Sequence, residues 1–314
     1  MVSEKSAHLS PVELVAAMLV ILLWGLNFVP MKFALLDFTP FQMGAARFLL
    51  AAFPLFLFVA RPSIPMKWLL LYGFAQGLGQ FSFLFFALKF GMSAALASVL
   101  MQTQVFFTAL MGATLLGEPI SRPLTVGMMV AAAGLACFVL NLFTDQGLGT
   151  VTELGFLLTL MAALMWSSAN IIVKKMQASS EGYSALSLVA WSSLISGVGF
   201  VLISIVFDDH DAHDNWLQAS ATGWLSLLYL GWAASGLAYW LWTLLLTRHL
   251  ASRVAPFSLG VPVVGLLAGI WVLDEQMTTM QWVGSALVMF ALVVVVMGSR
   301  YSIERMTRRY TRRN

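Results

Sequence analysis

Polar and aromatic side chains recur inside stretches of this sequence that are otherwise apolar. Trp24 and Asn27 lie in one such stretch, and Trp166, Ser167 and Asn170 lie in another, with the two asparagines 143 positions apart (170 − 27 = 143). A polar group inside a membrane-length apolar stretch is costly unless it has a partner or faces water. These residues therefore indicate either hydrogen bonds between packed helices or the lining of a solute-binding cavity. For the two asparagines both alternatives remain open.

Two pairs of glutamines and one aromatic group extend this set. Gln76 and Gln80 are one helical turn apart and share a helix face, whereas Gln102 and Gln104 are only two apart. We therefore expect at most one of the second pair to face the same cavity. The aromatic residues offer OH and NH donors, although packing is the commoner role for aromatics at helical spacing. We predict one polar-aromatic cavity lined by Trp24, Asn27, Gln76, Gln80, Gln102, Trp166, Ser167, Asn170, Tyr239 and Trp242.

Two basic residues lie close to the predicted cavity. Arg47 is the only formal charge well inside an apolar stretch, and Lys32 lies at the end of another. Because a guanidinium matches the geometry of a carboxylate, we consider Arg47 and Lys32 as partners for a substrate carboxylate. The alternative for Arg47 is that its side chain extends toward the membrane interface, about 10 Å away at 1.5 Å per residue.

The apolar stretches contain no recognised catalytic motif, and no Asp or Glu lies in the middle of one. The sequence has no HExxH, GxSxG or Walker motif, and all four histidines lie outside the apolar stretches or at their ends. We therefore predict no enzymatic activity, no cofactor and no metal site. The acidic segment 208–215 contains residue types that hold divalent metals. We interpret it instead as a loop on the side of the membrane that is poor in basic residues.

The composition requires a membrane environment for the helices that position these residues. Apolar residues make up 60% of the chain and charged residues 10%, with a mean hydropathy of +0.87, whereas soluble domains have about 45–50% and about 25%. The net charge of +3 comes from basic residues in short turns and in the C-terminal tail, so no nucleic-acid partner is expected. The single cysteine, Cys137, excludes an intrachain disulfide.

The apolar stretches predict an all-α integral membrane protein with ten transmembrane helices. Most of the gaps between them are short and contain Pro, Gly or charged residues. The predicted spans are approximately 12–31, 40–60, 67–88, 93–115, 123–143, 153–174, 184–207, 220–246, 251–273 and 279–299.

The two halves of the chain carry related patterns. Residues 94–118 and 251–275 both begin with small residues, continue through an apolar span with a glycine, and end on a glutamate. They align without a gap at an offset of 157 (251 − 94 = 157; 275 − 118 = 157). The asparagines above are offset by 143, so the second half needs an insertion, which we place at Asp208–Asn215. Internal repeats of this kind are typical of secondary transporters.

The positions of the basic residues fix the predicted orientation. If the N-terminus is cytoplasmic, fourteen of the seventeen Lys and Arg residues fall on the cytoplasmic side, and only Lys32 and Lys89 fall on the other. Both termini are then cytoplasmic, and because each half has five spans, the repeats are inverted. We divide the chain into a first five-helix repeat (1–145), a second, inverted repeat (146–300) and a basic cytoplasmic tail (301–314).

The ninth predicted helix carries residues that weaken a helix. Gly260, Pro262 and Gly265 favour bending or loosening of its backbone, which suits a gating element. The equivalent positions in the first repeat are Thr103, Val105 and Thr108, so we expect the two repeats to bend unequally.

The sequence resembles the drug/metabolite transporter superfamily, specifically its EamA-type branch of bacterial amino-acid and metabolite exporters. The segments that carry the resemblance are LLWGLNFVPMKFAL (22–35), AARFLLAAFPLFLFVARP (45–62), FGMSAALASVLMQTQVFFTALMGATLLGE (90–118) and RVAPFSLGVPVVGLLAGIWVLDE (253–275).

The resemblance implies a bacterial inner-membrane exporter of amino acids or related small metabolites, working by alternating access through a central cavity. We expect it to act as a monomer in the lipid bilayer, on a small-molecule substrate. Every acidic residue lies near a span end, in a loop or in the tail, so facilitated export or exchange without obligatory proton coupling is expected. The alternatives are another solute class, such as a drug or nucleotide sugar, and a non-transporting membrane scaffold or sensor.

Overall fold

The computed structural model describes residues 10–143, 151–179, 183–209, 212, 216–249 and 254–311, and within these ranges every regular element is helical. The helices are α1 (Pro11–Asp37), α2 (Pro40–Phe58), α3 (Met66–Lys89), α4 (Ala94–Leu116), α5 (Arg122–Leu142), α6 (Glu153–Ser179), α7 (Ala185–Phe207), α8 (221–248), α9 (Phe257–Val272) and α10 (Thr279–Thr311).

Eight of these helices are long and apolar enough to cross a membrane, namely α1 to α7 and the Thr279–Gly298 part of α10. Helix α9 is a shorter apolar helix, and α8 falls outside the set of eight. Residues 221–248 are nevertheless continuously helical, and they are rich in Trp, Tyr, Ser and Gly. The expected all-helical membrane architecture is therefore present, and eight of the described helices qualify as spans by length and composition. The count of ten stays a prediction.

Two helices are interrupted close to the residues of the predicted cavity. In α1 the helix breaks at Leu26–Asn27, where Asn27 N bonds back to Trp24 O at 3.3 Å in a three-residue step. Pro30 has no N–H to donate to the Leu26 carbonyl, so the ladder cannot continue normally across this point. In α4 a short 3₁₀ segment, Met101–Thr103, separates two α-helical parts. The corresponding helix of the second half, α9, begins within a 3₁₀ segment, Ala255–Leu259.

Helices α3 and α8 each contain a π-helical segment, which the sequence analysis did not anticipate. The segments are Gly73–Gly79 and Tyr229–Leu237. Residues 73 and 79 shifted by 157 fall on 230 and 236, so the two segments occupy equivalent positions in the two halves. A π segment leaves carbonyls outside the normal i→i−4 ladder and is frequent at functional sites.

Small residues bring some helices into close contact, as expected when helices pack in lipid without a hydrophobic driving force. At the crossing of α5 and α10, a Cβ placed on Gly134 would lie 2.9 Å from the carbonyl oxygen of Gly284, and the reverse distance is the same. Any side chain at either position would separate the two backbones.

The bundle has two ends that are distinguished by the two repeat-related glutamates. The Glu275 carboxylate accepts hydrogen bonds at the start of α4 from Ala94 N (2.7 Å), Ala95 N (2.8 Å) and the Ser93 hydroxyl (2.8 Å). Glu118 lies beyond the other end of α4 and pairs with Lys174 at 2.6 Å, with both side chains about two-fifths exposed. We call these the Glu275 end and the Glu118 end.

The structure describes parts of two segments that the sequence analysis delimited, namely the C-terminal tail and the acidic segment 208–215. Helix α10 continues without interruption through residues 301–311, so the segment predicted as a separate tail begins as part of the last helix. Of the acidic segment 208–215, only Asp208, Asp209 and Ala212 lie within the described residues. Asp208 accepts hydrogen bonds from Thr39 and Ser204, both at 2.7 Å, which ties this segment to the start of α2. Among the described residues no cluster of three metal-ligating side chains occurs.

Candidate functional site

A cavity of about 370 Å³ lies between the two halves of the bundle. Helices α1, α2, α3, α4, α6 and α8 contribute to its wall, together with the start of α9. The lining residues are Trp24, Asn27, Phe28, Arg47, Tyr72, Gln76, Gln80, Phe81, Leu84, Ser98, Met101, Gln102, Gln104, Trp166, Asn170, Tyr239, Trp242, Ser258 and Val261.

An aromatic cluster forms one wall of the cavity. The ring centroid of Trp24 lies 5.1 Å from that of Tyr239 and 5.4 Å from that of Trp242. The Trp24 indole N–H donates to the carbonyl of Ala234 at 3.0 Å, and Ala234 belongs to the π segment of α8. The irregular backbone of α8 thus supplies an acceptor that fixes the orientation of an indole from the other half.

Arg47 and Asn27 form a buried polar pair on the same cavity. Arg47 is 3% exposed and Asn27 is 8% exposed. Arg47 Nη1 donates to Asn27 Oδ1 at 3.0 Å, and the guanidinium carbon lies 4.3 Å from the centroid of the Phe81 ring. Arg47 Nε is buried without a hydrogen-bond acceptor. The alternative in which Arg47 extends to the membrane interface is therefore wrong, because the side chain turns inward to Asn27 and Phe81.

Amide side chains form another part of the cavity lining. Gln76 Nε2 donates to Gln80 Oε1 at 3.0 Å along α3. Asn170 Nδ2 donates to Gln104 Oε1 at 3.0 Å and to the Thr108 hydroxyl at 3.1 Å, which links α6 to α4. The two alternatives for Asn27 and Asn170 are thus not exclusive, since each asparagine lines the cavity and also bonds to a neighbouring helix.

The structure brings together nine of the ten residues in the predicted lining, and Arg47 with them. Ser167 is the exception, because it is fully buried and its hydroxyl donates to the carbonyls of Gln104 and Ala163, both at 2.9 Å. Lys32 is also outside the lining and donates to the Leu88 carbonyl at 3.2 Å. Both side chains are occupied by backbone acceptors. Whether the lining residues bind a solute stays a prediction.

The expectation that Gln102 and Gln104 could not share the cavity was wrong, since both line it. Regular α-helical geometry turns residues two apart to different faces. Here the 3₁₀ segment Met101–Thr103 changes the rotation per residue at this point and presents both amides.

Gly260, Pro262 and Gly265 do not line the cavity, although their neighbour Val261 does. A Cβ placed on Gly265 would lie 2.7 Å from the Ser98 hydroxyl and 3.2 Å from the Gly25 carbonyl. These positions therefore lie where α9 crosses α1 and α4 closely. A gating role for them stays a prediction.

Several lining residues were missed by the sequence analysis, and two patterns identify four of them in retrospect. Tyr72 and Leu84 continue the four-residue spacing of Gln76 and Gln80 along α3. Ser258 and Val261 are the partners of Met101 and Gln104 at the 157-residue offset (101 + 157 = 258; 104 + 157 = 261). The repeat therefore identifies the contribution of α9 only once Met101 and Gln104 are known to line the cavity.

The chemical character of the cavity favours binding over catalysis. Within the described part of the chain, no Asp, Glu, His or Cys lines it. Amides, hydroxyls, one guanidinium and several aromatic rings provide hydrogen bonds and apolar contact for a solute of amino-acid size.

The chain is similar in sequence to membrane transporters. The sequence profile of the EamA-like transporter family matches residues 12–140 and again residues 153–297. A protein of Escherichia coli (strain K12) named "Probable amino-acid metabolite efflux pump" is 41% identical over 91% of this chain and 95% of its own length. The protein of the same name from Salmonella typhimurium is 42% identical over 90% and 94%. An uncharacterised transporter of Bacillus subtilis is 27% identical over 86% and 91%.

A similar fold has also been observed by crystallography. One crystal structure superposes on this chain with a TM-score of 0.63, covering 92% of this chain and 97% of the other, at 19% sequence identity. At this identity the comparison speaks to the fold alone.

Proposed function

The chain belongs to the EamA-like transporter family, and we propose that it exports amino acids or related small metabolites through the cavity between its two halves. It is a multi-pass membrane protein and a transporter rather than an enzyme. The names of its relatives from two bacteria support amino-acid metabolites as the solute class. Together with the apolar helices of the chain, their bacterial origin supports the inner membrane as the location.

The proposed architecture has ten membrane-spanning helices in two inverted five-helix repeats, residues 1–145 and 146–300. The family profile matches each half separately, and the π segments of α3 and α8 register at the repeat offset. The excess of basic residues on one side supports cytoplasmic N- and C-termini. In this orientation the Glu275 end faces outward and the Glu118 end faces the cytoplasm.

One observation carries the proposed binding site: the cavity combines a guanidinium, amides and aromatic rings contributed by both halves, within a bundle of apolar helices. Polar groups at this depth are costly and are expected at a substrate pathway. Gln80, Arg47 and Tyr239 come from different helices, so a solute there contacts several elements at once. A site of this kind changes shape when the two halves move against each other.

The hydrogen bonds at the Glu275 end support alternating access as the mechanism. Ser98 lines the cavity, and one helical turn beyond it the Glu275 carboxylate caps the start of α4. This contact joins the loop after α9 to α4, and we propose that it closes the cavity toward the outside. We propose that opening to the outside breaks it, while Gly260, Pro262 and Gly265 allow α9 to move.

We propose that export is facilitated or an exchange of solutes, without obligatory proton coupling. No acidic or histidine side chain within the described residues lines the cavity. Glu13 lies at the start of α1, where its carboxylate is 3.1 Å from His249 and 3.6 Å from Arg248, so this group holds α1 to the end of α8.

Efflux from peptide-loaded cells, screened over the amino acids, tests the proposed function. Cells that produce the protein take up dipeptides, hydrolyse them and release the constituent amino acids, and the expected result is faster release of a subset. The same protein in liposomes should show counterflow of those solutes and thermal stabilisation by them. Thermal stabilisation without solute flux would indicate a sensor. If neither flux nor stabilisation is observed, the protein would be a scaffold. Counterflow of drugs or nucleotide sugars alone would indicate the other solute class.

A further inference from the structure

We infer that the cavity recognises its substrate by a carboxylate bound to Arg47, and that a substrate ammonium group is dispensable. This inference rests on the proposed function and narrows the substrate to carboxylic acids of amino-acid size. It predicts that N-acylated amino acids and related acids without an amino group are accepted, whereas amines and amides are not.

The first argument is that Arg47 lacks an anionic partner. Its side chain is 3% exposed, and among the described residues no acidic side chain forms an ion pair with it. Of five N–H donors, one bonds to the Asn27 amide oxygen at 3.0 Å, and Nε is buried with no acceptor. A buried cation with unused donors is costly in the empty protein. Binding of a carboxylate removes that cost.

The second argument is that Arg47 is held in a fixed orientation on the cavity wall. Asn27 fixes one nitrogen, and the ring of Phe81 lies against the guanidinium with its centroid 4.3 Å from Cζ. Both residues also line the cavity. A fork whose position is set in advance loses little conformational freedom when it binds a planar carboxylate by two hydrogen bonds.

The third argument concerns the ammonium group. A zwitterionic amino acid placed with its carboxylate on Arg47 finds no carboxylate for its ammonium among the described lining residues. Amide oxygens of Gln76 and Gln80 and the faces of Trp24 and Tyr239 can accept an ammonium as neutral partners. Neutral partners also accept an acylated nitrogen, because an amide N–H donates to the same groups. The lining therefore distinguishes acids from amines, and not amino acids from their N-acyl derivatives.

The test uses four compounds that share one side chain. The side chain is that of the amino acid giving the largest thermal stabilisation of the full-length purified protein, and the compounds are the amino acid, its N-acetyl derivative, its amide and the decarboxylated amine. Binding is measured by thermal shift, and transport by counterflow in liposomes. The acid and its N-acetyl derivative should bind within about tenfold of each other, and the amide and amine at least about tenfold more weakly.

Variants assign the preference to Arg47. Arg47→Gln should lower the affinity for both acids by about 10- to 150-fold, as for a lost hydrogen-bonded charge, and make acid and amide bind alike. Lys32→Gln is the matched control, because it removes a nearby cation that bonds to the Leu88 carbonyl outside the lining, and it should leave the preference intact.

The melting temperature of the empty protein separates recognition from a structural role. If Arg47 is retained for its ligand, Arg47→Gln or Arg47→Met should melt at the same or a higher temperature, since a buried unpaired cation is removed. A large decrease in both variants would assign Arg47 to the fold and overturn the inference.

The remaining outcomes are distinct for the two proposals. Equal binding of acid and amide by the unchanged protein, or an acid preference that survives in Arg47→Gln, overturns the recognition of a carboxylate while export stands. If the N-acetyl derivative does not bind, the claim that the substrate ammonium group is dispensable is refuted. If no amino acid or N-acetyl derivative is bound or transported, the proposed function fails, and this inference fails with it.

Discussion

The contact between Glu275 and the start of α4 gives a prediction with a calculable magnitude. Glu275→Gln keeps the shape of the side chain but replaces one carboxylate oxygen by an NH₂ group, which cannot accept a hydrogen bond. One oxygen of Glu275 bonds to Ala94 N at 2.7 Å, and the other bonds to Ala95 N at 2.8 Å and to the Ser93 hydroxyl at 2.8 Å. At least one hydrogen bond and the negative charge at the helix N-terminus are therefore lost.

The loss should reduce the free-energy difference that favours the outward-closed state over the outward-open state by about 2 kcal/mol. A hydrogen bond to a charged group contributes about 1.5–3 kcal/mol, and an N-cap about 0.5–2 kcal/mol. At about 1.4 kcal/mol per factor of ten, the outward-open population should rise by about 30-fold. The rise is smaller if the open state is already substantially populated in the unchanged protein.

Accessibility of Ser98 reports this population. Ser98 is 1% exposed and lines the cavity one turn inside the contact. In a Cys137→Ala background, Ser98→Cys should react with a membrane-impermeant maleimide added outside the cell, and Glu275→Gln should increase the rate by up to about 30-fold. Glu118→Gln is the control at the opposite end and should not increase it.

The labelling rate and the melting temperature together decide whether the Glu275 contact controls opening to the outside. An unchanged labelling rate in Glu275→Gln, together with a lower melting temperature, would show that Glu275 is an ordinary helix cap and that opening to the outside occurs elsewhere. Equal increases in the Glu275 and Glu118 variants would indicate general loosening of the bundle, and would also refute the reasoning.

Three further predictions concern gating, topology and coupling. Gly265→Ala should slow counterflow more than Gly260→Ala while binding is largely kept, because the added Cβ at Gly265 meets Ser98 and the backbone carbonyl of Gly25, whereas at Gly260 it meets only the side chain of Ile21. Unchanged flux in both variants would assign these glycines to packing. Reporter fusions after residue 215 should be external and those after residue 314 internal, and an external C-terminal fusion would overturn the topology. In liposomes a pH gradient without a solute gradient should drive no uphill accumulation; accumulation that Lys32→Ala or Glu13→Gln abolishes would reveal a coupling group.

The sequence alone determined the class of protein and most of the cavity residues. An apolar content of 60% leaves no soluble alternative, and polar residues within such stretches are few enough for each to require an explanation. Asn27 and Asn170 were identified in this way because burial in lipid penalises every unexplained amide. The repeat offset of 157 was visible in the residues themselves, since equivalent helices in the two halves have Gly and Glu at equivalent positions.

The tertiary structure decided which partners these residues have, because side-chain direction depends on backbone irregularities and on neighbours distant in sequence. The 3₁₀ turn in α4 brings both Gln102 and Gln104 to the cavity, whereas in a regular α-helix residues two apart point to different faces. Ser167, one residue from Trp166, turns to backbone carbonyls and leaves the lining. The sequence left the direction of the Arg47 side chain open between the cavity and the membrane interface. Only the approach of Asn27 and Phe81 from other helices turned its guanidinium toward the cavity, where no acidic side chain of the described chain neutralises it.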